Sequence, residues 1–348
     1  MKIIRGAHTR TALALGALPI LLGLWWPAAS PAVAAQPAGV LLGANENEGT
    51  LSVIDPEQGL RVAKIAEGGF AGHEVAASPD GRFAYVPIYG DGNAGTPGTD
   101  GRAVVKIDLA SKRVVGRYTF DHGVRPHAAV FNPHNGLLYV TTELDHTVSI
   151  IDPKTMTLVG AIPTGQVLSH MLVISHDGRF GYTSNIASGS VSVLDLKARK
   201  LLGVVPVSAK IQRIAISADD RMIFTADQTT PRVAVIDTAT RQVTRWIQLP
   251  AVGMGVTTTA DGRWLLVAIE PTSQLAVVDL KTMAVARTIG LPQYPHETVL
   301  SADGKTAYVS CSVAGEVVEL RTKDWTVAGQ IQSGPFVDGL AWAQPAAN

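Results

Sequence analysis

From Tyr139 to Pro163 the chain reads YVTTELDHTVSIIDPKTMTLVGAIP, and its apolar positions fall into short blocks instead of a helical period. Leu138 to Thr142 predicts one strand, Thr147 to Ile151 a second rich in β-branched residues, and Leu158 to Ile162 a third. Asp152-Pro153-Lys154-Thr155, between the last two, is a turn: the proline presets φ and the Asp side chain can accept from the backbone ahead of it. The remainder of the chain repeats or decorates this unit.

An apolar run ending in Asp recurs at Asp55, Asp108, Asp152, Asp195, Asp237 and Asp279, with a degenerate VVEL copy carrying Glu319. The successive spacings are 53, 44, 43, 42, 42 and 40. A second series sets the phase: SPDGRFAYV from Ser78, NPHNGLLYV from Asn132, SHDGRFGYT from Ser175, SADDRMIFT from Ser217, TADGRWLLV from Thr259 and SADGKTAYV from Ser301. Its Asp-Gly pair, or the equivalent, supplies the hairpin between the first and second strands of each unit. A period near 42 residues made of short strands is the pattern of a β-propeller with one four-stranded blade per repeat. The hairpin occurs six times, because the first unit begins in its second strand, Val40 to Gly43, while Phe336 to Trp342 reads as an innermost strand with no blade after it. Joining the two ends gives seven blades and removes the exposed edges. The expected fold is therefore all-β, a seven-bladed propeller closed by its C-terminal strand.

The repeats YVTTELDHTVSIIDPKT and YTSNIASGSVSVLDLKA resemble the YVTN repeat. From about residue 38 to 343 the chain is similar to YncE-like periplasmic seven-bladed propellers, within the cytochrome d1-like and lactonase-like propeller superfamily. That resemblance implies the fold and an exported protein. It does not select an activity, because related propellers include lactonases, haem-d1 domains and plain binding scaffolds.

Residues 1–35 read as a cleaved signal peptide, and 36–348 as the single propeller domain. Lys2, Arg5 and Arg10 precede an apolar stretch from Thr11 to Trp26, and Ala32-Val33-Ala34 and Val33-Ala34-Ala35 both fit small-residue cleavage. Pro19 and the shortness of the run argue against an anchor helix, so a periplasmic location with no membrane attachment after cleavage is expected. Lys plus Arg and Asp plus Glu both total 29, which gives no indication of nucleic-acid binding. Cys311 is the only cysteine, which excludes an intramolecular disulfide framework, and a monomer is expected.

The long second interval comes from a Gly-rich insertion, Tyr89 to Gly101, between the second and third strands of the second blade. Gly90-x-Gly92-x-x-Gly95 matches a dinucleotide fingerprint by letters, but Pro97-Gly98 follows where a helix would have to begin. Asp91-x-Asn93 starts like a calcium loop, yet its fifth position is Gly95 and its twelfth Arg102. Glu143, Asp227 and Glu270, just after second strands, are the carboxylates a lactonase would use at the channel mouth, or turn residues equivalent to Asn45 and Asn185.

Aligning the innermost strands yields the main constellation. Five residues before the Ser, Thr or Asn of each first hairpin stand His73, His127, His170, Gln212, Met254 and His296, and the last strand places Asp338 in the same register. Equivalent positions on innermost strands form one ring at the channel mouth. Its four histidines and Asp338 fall on five adjacent blades and suit a transition metal such as copper, zinc or iron, with Met254 favouring copper. Neutral imidazoles could equally line a pocket for a haem-like ligand, with Arg125 and Tyr294 adding a cation and a hydroxyl two residues before His127 and His296. Glu74 and Glu297 follow ring histidines and should point elsewhere, as ion-pair groups. A structural His buttress would produce the same repeat pattern. The readings carried forward are a binding propeller with a metal or metal-containing ligand at its mouth, a lactonase-type hydrolase, and a scaffold for a periplasmic protein.

Overall fold

The computed structural model describes residues 39–70 and 72–344. The predicted leader, 1–35, lies outside the described residues. Seven four-stranded antiparallel sheets make up the fold. Blade 1 is ordered Val337–Ala343, Val40–Asn45, Thr50–Asp55, Leu60–Ala66, so the C-terminal strand is the inner strand of the N-terminal blade. Leu41 pairs with Trp342 and Leu42 with Ala341 across that junction. Blades 2 to 7 each run from inner to outer strand in chain order, starting at Ala76, Pro126, Ser169, Ile211, Val256 and Pro295.

Burial explains why the second and third strands read as continuous apolar runs. Each blade is covered on both faces by its neighbours, so Leu138–Thr142 is buried throughout and Thr147–Asp152 is buried except at its ends. The outer strands face solvent, and Thr157–Pro163 keeps only Ile162 fully inside.

The repeated Asp holds the turn to the outer strand. The Asp152 carboxylate accepts from Lys154 N at 2.8 Å and Asp279 from Lys281 N, while Asp108, Asp195 and Asp237 accept from the N–H one residue further along the turn. Pairing corrects one alignment. Arg321, not Glu319, occupies this register in blade 7, opposite Thr306 and Thr326 as Asp279 is opposite Trp264 and Ala284. The true spacing there is 42, and Asp324 takes over the turn by accepting from Thr326 N at 3.1 Å.

Candidate metal centre at the channel mouth

The structure brings the five predicted ring residues onto one continuous arc. His296 Nε2 lies 2.8 Å from Asp338 Oδ1, and Asp338 Oδ2 lies 4.0 Å from His73 Nδ1. The His73 and His127 ring centres are 5.6 Å apart edge to face, and those of His127 and His170 are 3.6 Å apart at 30°. His73, His127, His170 and Asp338 are buried, and the His296 side chain is 12% exposed. Blades approach closely at this level: Gly339 N donates to His73 O at 2.8 Å, and a Cβ at Gly339 would stand 2.6 Å from that oxygen.

Four arc residues are preceded by a strained backbone. Arg125, Leu168, Tyr294 and Phe336, each two residues ahead of His127, His170, His296 and Asp338, have φ between 48° and 65°. Lys210 and Val252, ahead of Gln212 and Met254, are not left-handed. A left-handed non-glycine residue costs about 1 kcal/mol, and here it recurs beside His and Asp but not beside Gln or Met.

Of a second ring the sequence marked only Glu143 and Glu270. Glu46, Tyr89, Glu143, Ile186, Gln228, Glu270 and Ser312 share one repeat position at the end of the second strands, spaced 43, 54, 43, 42, 42 and 42. Each blade's second-ring residue meets the first-ring residue of the following blade wherever that residue is His. Glu46 Oε1 lies 3.5 Å from His73 Nε2, and the Tyr89 ring stands edge-on to His127 at 5.3 Å. His170 Nδ1 is bonded to Glu143 Oε1, and His296 Nδ1 to Glu270 Oε1 at 2.5 Å. Tyr89 donates to Glu143 Oε2 at 2.7 Å.

The carboxylates grouped above as Glu143, Asp227 and Glu270 therefore separate. Asp227 lies one register earlier, with Asn45 and Asn185, and folds into its own turn, accepting from Thr229 N at 2.8 Å and Arg232 Nε at 3.0 Å. Alternation along a strand sends the next residue to the opposite side, which is how Glu143 and Glu270 reach the mouth.

Arg213 was also missed. It follows ring residue Gln212 and carries its guanidinium from blade 5 to three acids: Glu74 at 2.7 Å, Glu297 at 3.3 Å and Asp338 at 2.8 Å. Glu74 and Glu297 are thus ion-pair groups, as their register suggested. On their other side is a cavity of about 310 Å³ whose walls include Val75, Leu172, Ile214, Val256 and Leu340.

Charge in the mouth follows from burial. Burial depresses His73 to about 4 and, with the neighbouring His170 and His73 charges, holds His127 well below the usual imidazole range. Burial acts the same way on His296, but the Asp338 charge and the bonds to Asp338 and Glu270 outweigh it and raise the imidazole to about 10. Burial and Asp338 push Glu46 up to about 7. Burial opposes ionisation of Asp338, yet His296 and Arg213 keep its carboxyl well below the usual range.

Of the two residues read as ligand contacts, Tyr294 is 40% exposed and stacks near-parallel to His296, ring centres 6.4 Å apart. Arg125 is buried and engaged: Nε meets Asp100 at 2.5 Å and Nη1 meets Asn93 O at 3.2 Å. Its charge anchors the Gly-rich insertion, whose Asp91 carboxylate accepts from Thr99 N. His122 and His176 are exposed and paired with Asp145 and Asp220. Cys311 is buried and its thiol is pushed up to about 12, so it is no thiolate.

No curated protein matches the chain with significance. The profile of the family described as "Cytochrome D1 heme domain" matches residues 132–324, more than half of the chain. The chain belongs to the cytochrome d1 haem domain family. Among solved structures, this cytochrome d1-type propeller is similar to dihydro-heme d1 dehydrogenase NirN in complex with DHE, with a TM-score of 0.64 at 14% identity over 88% of this chain and 76% of that one. It is similar to a functionally unknown protein from Desulfotomaculum acetoxidans, TM-score 0.74 at 12% identity over 89% and 100%. Hydrazine synthase from Kuenenia stuttgartiensis matches with a TM-score of 0.50 at 15% identity over 72% and 95%. At these identities the likeness is one of fold.

The family name implies a haem group, and the mouth can be tested for it. Imidazole donors are present, but the arc is packed at 3.6 and 5.6 Å between ring centres, with Arg213 and its acids at the Asp338 end. Arg125 and Arg213, the cations that would meet haem carboxylates, are both bonded to acids. The other polar groups of the mouth, Glu46, Glu143, Glu270 and Asp338, are carboxyls, of the wrong sign to meet haem carboxylates. The residues here do not fit a macrocycle within the ring.

The buried imidazoles make acid stability a test of this geometry. His73 binds its proton more weakly folded than unfolded, so its contribution is present above pH 6.5 and is lost as pH falls through about 4. His73→Gln is expected to lose less stability than the parent between pH 6.5 and 4, by on the order of 2–3 kcal/mol. Denaturant melts at each pH provide the measurement, and parallel curves would place His73 in water.

Proposed function

We propose that this chain is an exported periplasmic binding propeller whose mouth holds a divalent transition-metal ion. The observation that carries this reading is the pairing of the two rings. Each ring histidine has Glu or Tyr of the preceding blade beside it, while Gln212 and Met254 follow Ile186 and Gln228. A carboxylate on one imidazole nitrogen fixes its tautomer and orientation, as Glu143 does for His170 and Glu270 for His296, which is how the surroundings of metal sites are usually ordered. Histidine and carboxylate together suit zinc, copper, iron or nickel. A structural buttress would need no acid beside His73, His170 and His296, and blades 5 and 6 pack without one. The hydrolase reading loses support because Asp227 serves its own turn and Glu143 and Glu270 are held by imidazoles.

The test is the melting temperature of the mature protein titrated with Zn²⁺, Cu²⁺ or Ni²⁺. Binding to the folded state at a hundredfold excess over Kd stabilises by about 2.7 kcal/mol. The parent and a His134→Ala control should show the shift, and His127→Ala combined with His170→Ala should lose most of it while still melting cooperatively in chelator. Equal shifts in both variants, or none in the parent, would reduce the ring to architecture.

A further inference from the structure

Not every arc residue is available to an ion. His296 has both nitrogens bonded to carboxylates, Nδ1 to Glu270 and Nε2 to Asp338, so it is a hydrogen-bonding cation and offers no lone pair. His170 gives Nδ1 to Glu143, lies face-on against His127, and is not among the residues whose donor atoms converge with those of His73. Asp338 Oδ1 is shared by His296 and Arg213, both at 2.8 Å, which leaves Oδ2 on the His73 side.

What remains converges in one place. One donor atom each from Glu46, His73 and Asp338 lie within 4.8 Å of one another. His73 Nε2 and Glu46 Oε1 are 3.5 Å apart, close to the roughly 3.4 Å that separates two tetrahedral ligands about 2.1 Å from an ion. A second, independent feature lies beside this space: His127 is 2% exposed, its ring centre is 5.6 Å from that of His73, and its Nδ1 meets no hydrogen-bond partner among the described residues. A surface cavity of about 340 Å³ leads toward Glu46, and its walls include Glu48 and Asp91 and, among the described residues, no basic one. Glu48 is paired on one side with Lys64. Such a cleft concentrates cations at the entrance.

We infer that Glu46, His73 and Asp338, with His127 turning in as fourth donor, form the seat of a single divalent transition-metal ion, and that His170 and His296 position this seat without ligating. The inference rests on the metal-binding reading above. It adds Glu46, which no sequence motif marked, and removes two histidines from the ligand set. Asp338 is then oriented by Arg213 and His296, and the ion lies across the junction between blade 2 and blade 1, which joins Val337–Ala343 to Val40–Asn45.

Calorimetric titration of the mature protein with Zn²⁺, and of the same protein with Co²⁺ read by visible absorption, tests the assignment. The parent should bind one Zn²⁺ per chain and give the intense visible bands of four-coordinate Co²⁺. Glu46→Gln and His73→Gln should each weaken Zn²⁺ at least a hundredfold and remove those bands, and Glu46→Asp should fall between. His170→Gln should stay within tenfold and keep the four-coordinate spectrum, and Glu48→Gln should only slow association. If Glu46→Gln and Glu46→Asp bind like the parent while His170→Gln or His296→Gln does not, the seat is wrong and metal binding at the ring still stands. If the parent binds no ion, both fall together.

Discussion

Removing residues 335–348 should leave a protein that no longer melts cooperatively and that aggregates. The segment supplies the inner strand of blade 1, pairing residue for residue with Val40 to Gly43. Val337, Leu340 and Ala343 are buried, and Trp342 stacks on Tyr308 with ring centres 5.5 Å apart. Burying a Val or Leu side chain is worth about 1.5–3 kcal/mol, so the apolar contacts alone account for about 5 kcal/mol. That is a large share of the about 5–15 kcal/mol by which domains are stable. The loss also bares the edge of Val40–Asn45 for pairing with another chain. Size-exclusion with light scattering and a thermal melt decide it. A permuted chain with 335–344 placed ahead of residue 39 should recover a monomer, whereas a soluble truncation melting like the parent would contradict strand closure.

The blades were legible because each is bounded by local chemistry that recurs. Asp152 and its counterparts cap one turn, and Ser175 and its counterparts bond Asp177-type side chains in another, so period and phase are written twice. Closure was legible for the same reason: one hairpin too few at the start matched one strand too many at the end. Glu319 misled because an acidic letter was sought, whereas Arg321 fills the register and the turn is held from Asp324 instead.

The first ring was visible because His repeats at one register. Glu46, Tyr89, Glu143 and Glu270 share another register, but three acids and a tyrosine do not look alike as letters. Their common role shows only when each is seen against the next blade's imidazole. Glu143 and Asp227 were taken together because both close a second strand. A shift of one residue in a strand reverses the direction of the side chain, and that shift separates a mouth residue from a turn residue. Arg213 could not be found from the repeat at all, since its partners come from blades 7, 1 and 2.

Arg213→Met is the substitution expected to cost most within the mouth. Arg213 is 3% exposed and its guanidinium faces Glu74, Glu297 and Asp338, so its removal leaves three buried carboxylates with His296 as the nearby cation. Breaking a buried ion pair from one side typically costs about 3–5 kcal/mol, because the remaining charge has neither water nor partner. The sign of the pH dependence follows from the acids. Burial already raises Glu74 and Glu297 above the ordinary carboxyl range while Arg213 pulls them down, so losing Arg213 raises both further. A carboxyl raised in the folded state contributes stability that is complete below its unfolded value of 4.5 and is lost as pH rises through its folded value. The deficit of Arg213→Met should therefore be largest near pH 8 and shrink toward pH 5. Adding Glu74→Gln and Glu297→Gln should restore most of the lost stability at pH 8, since neutral amides no longer need the cation, and the coupling between these sites should exceed their separate effects. Urea melts of the single and triple variants at pH 5 and 8 give both quantities. An Arg213→Met protein as stable as the parent at pH 8, or a triple variant no better than the single, would mean that the three acids are not held by this guanidinium.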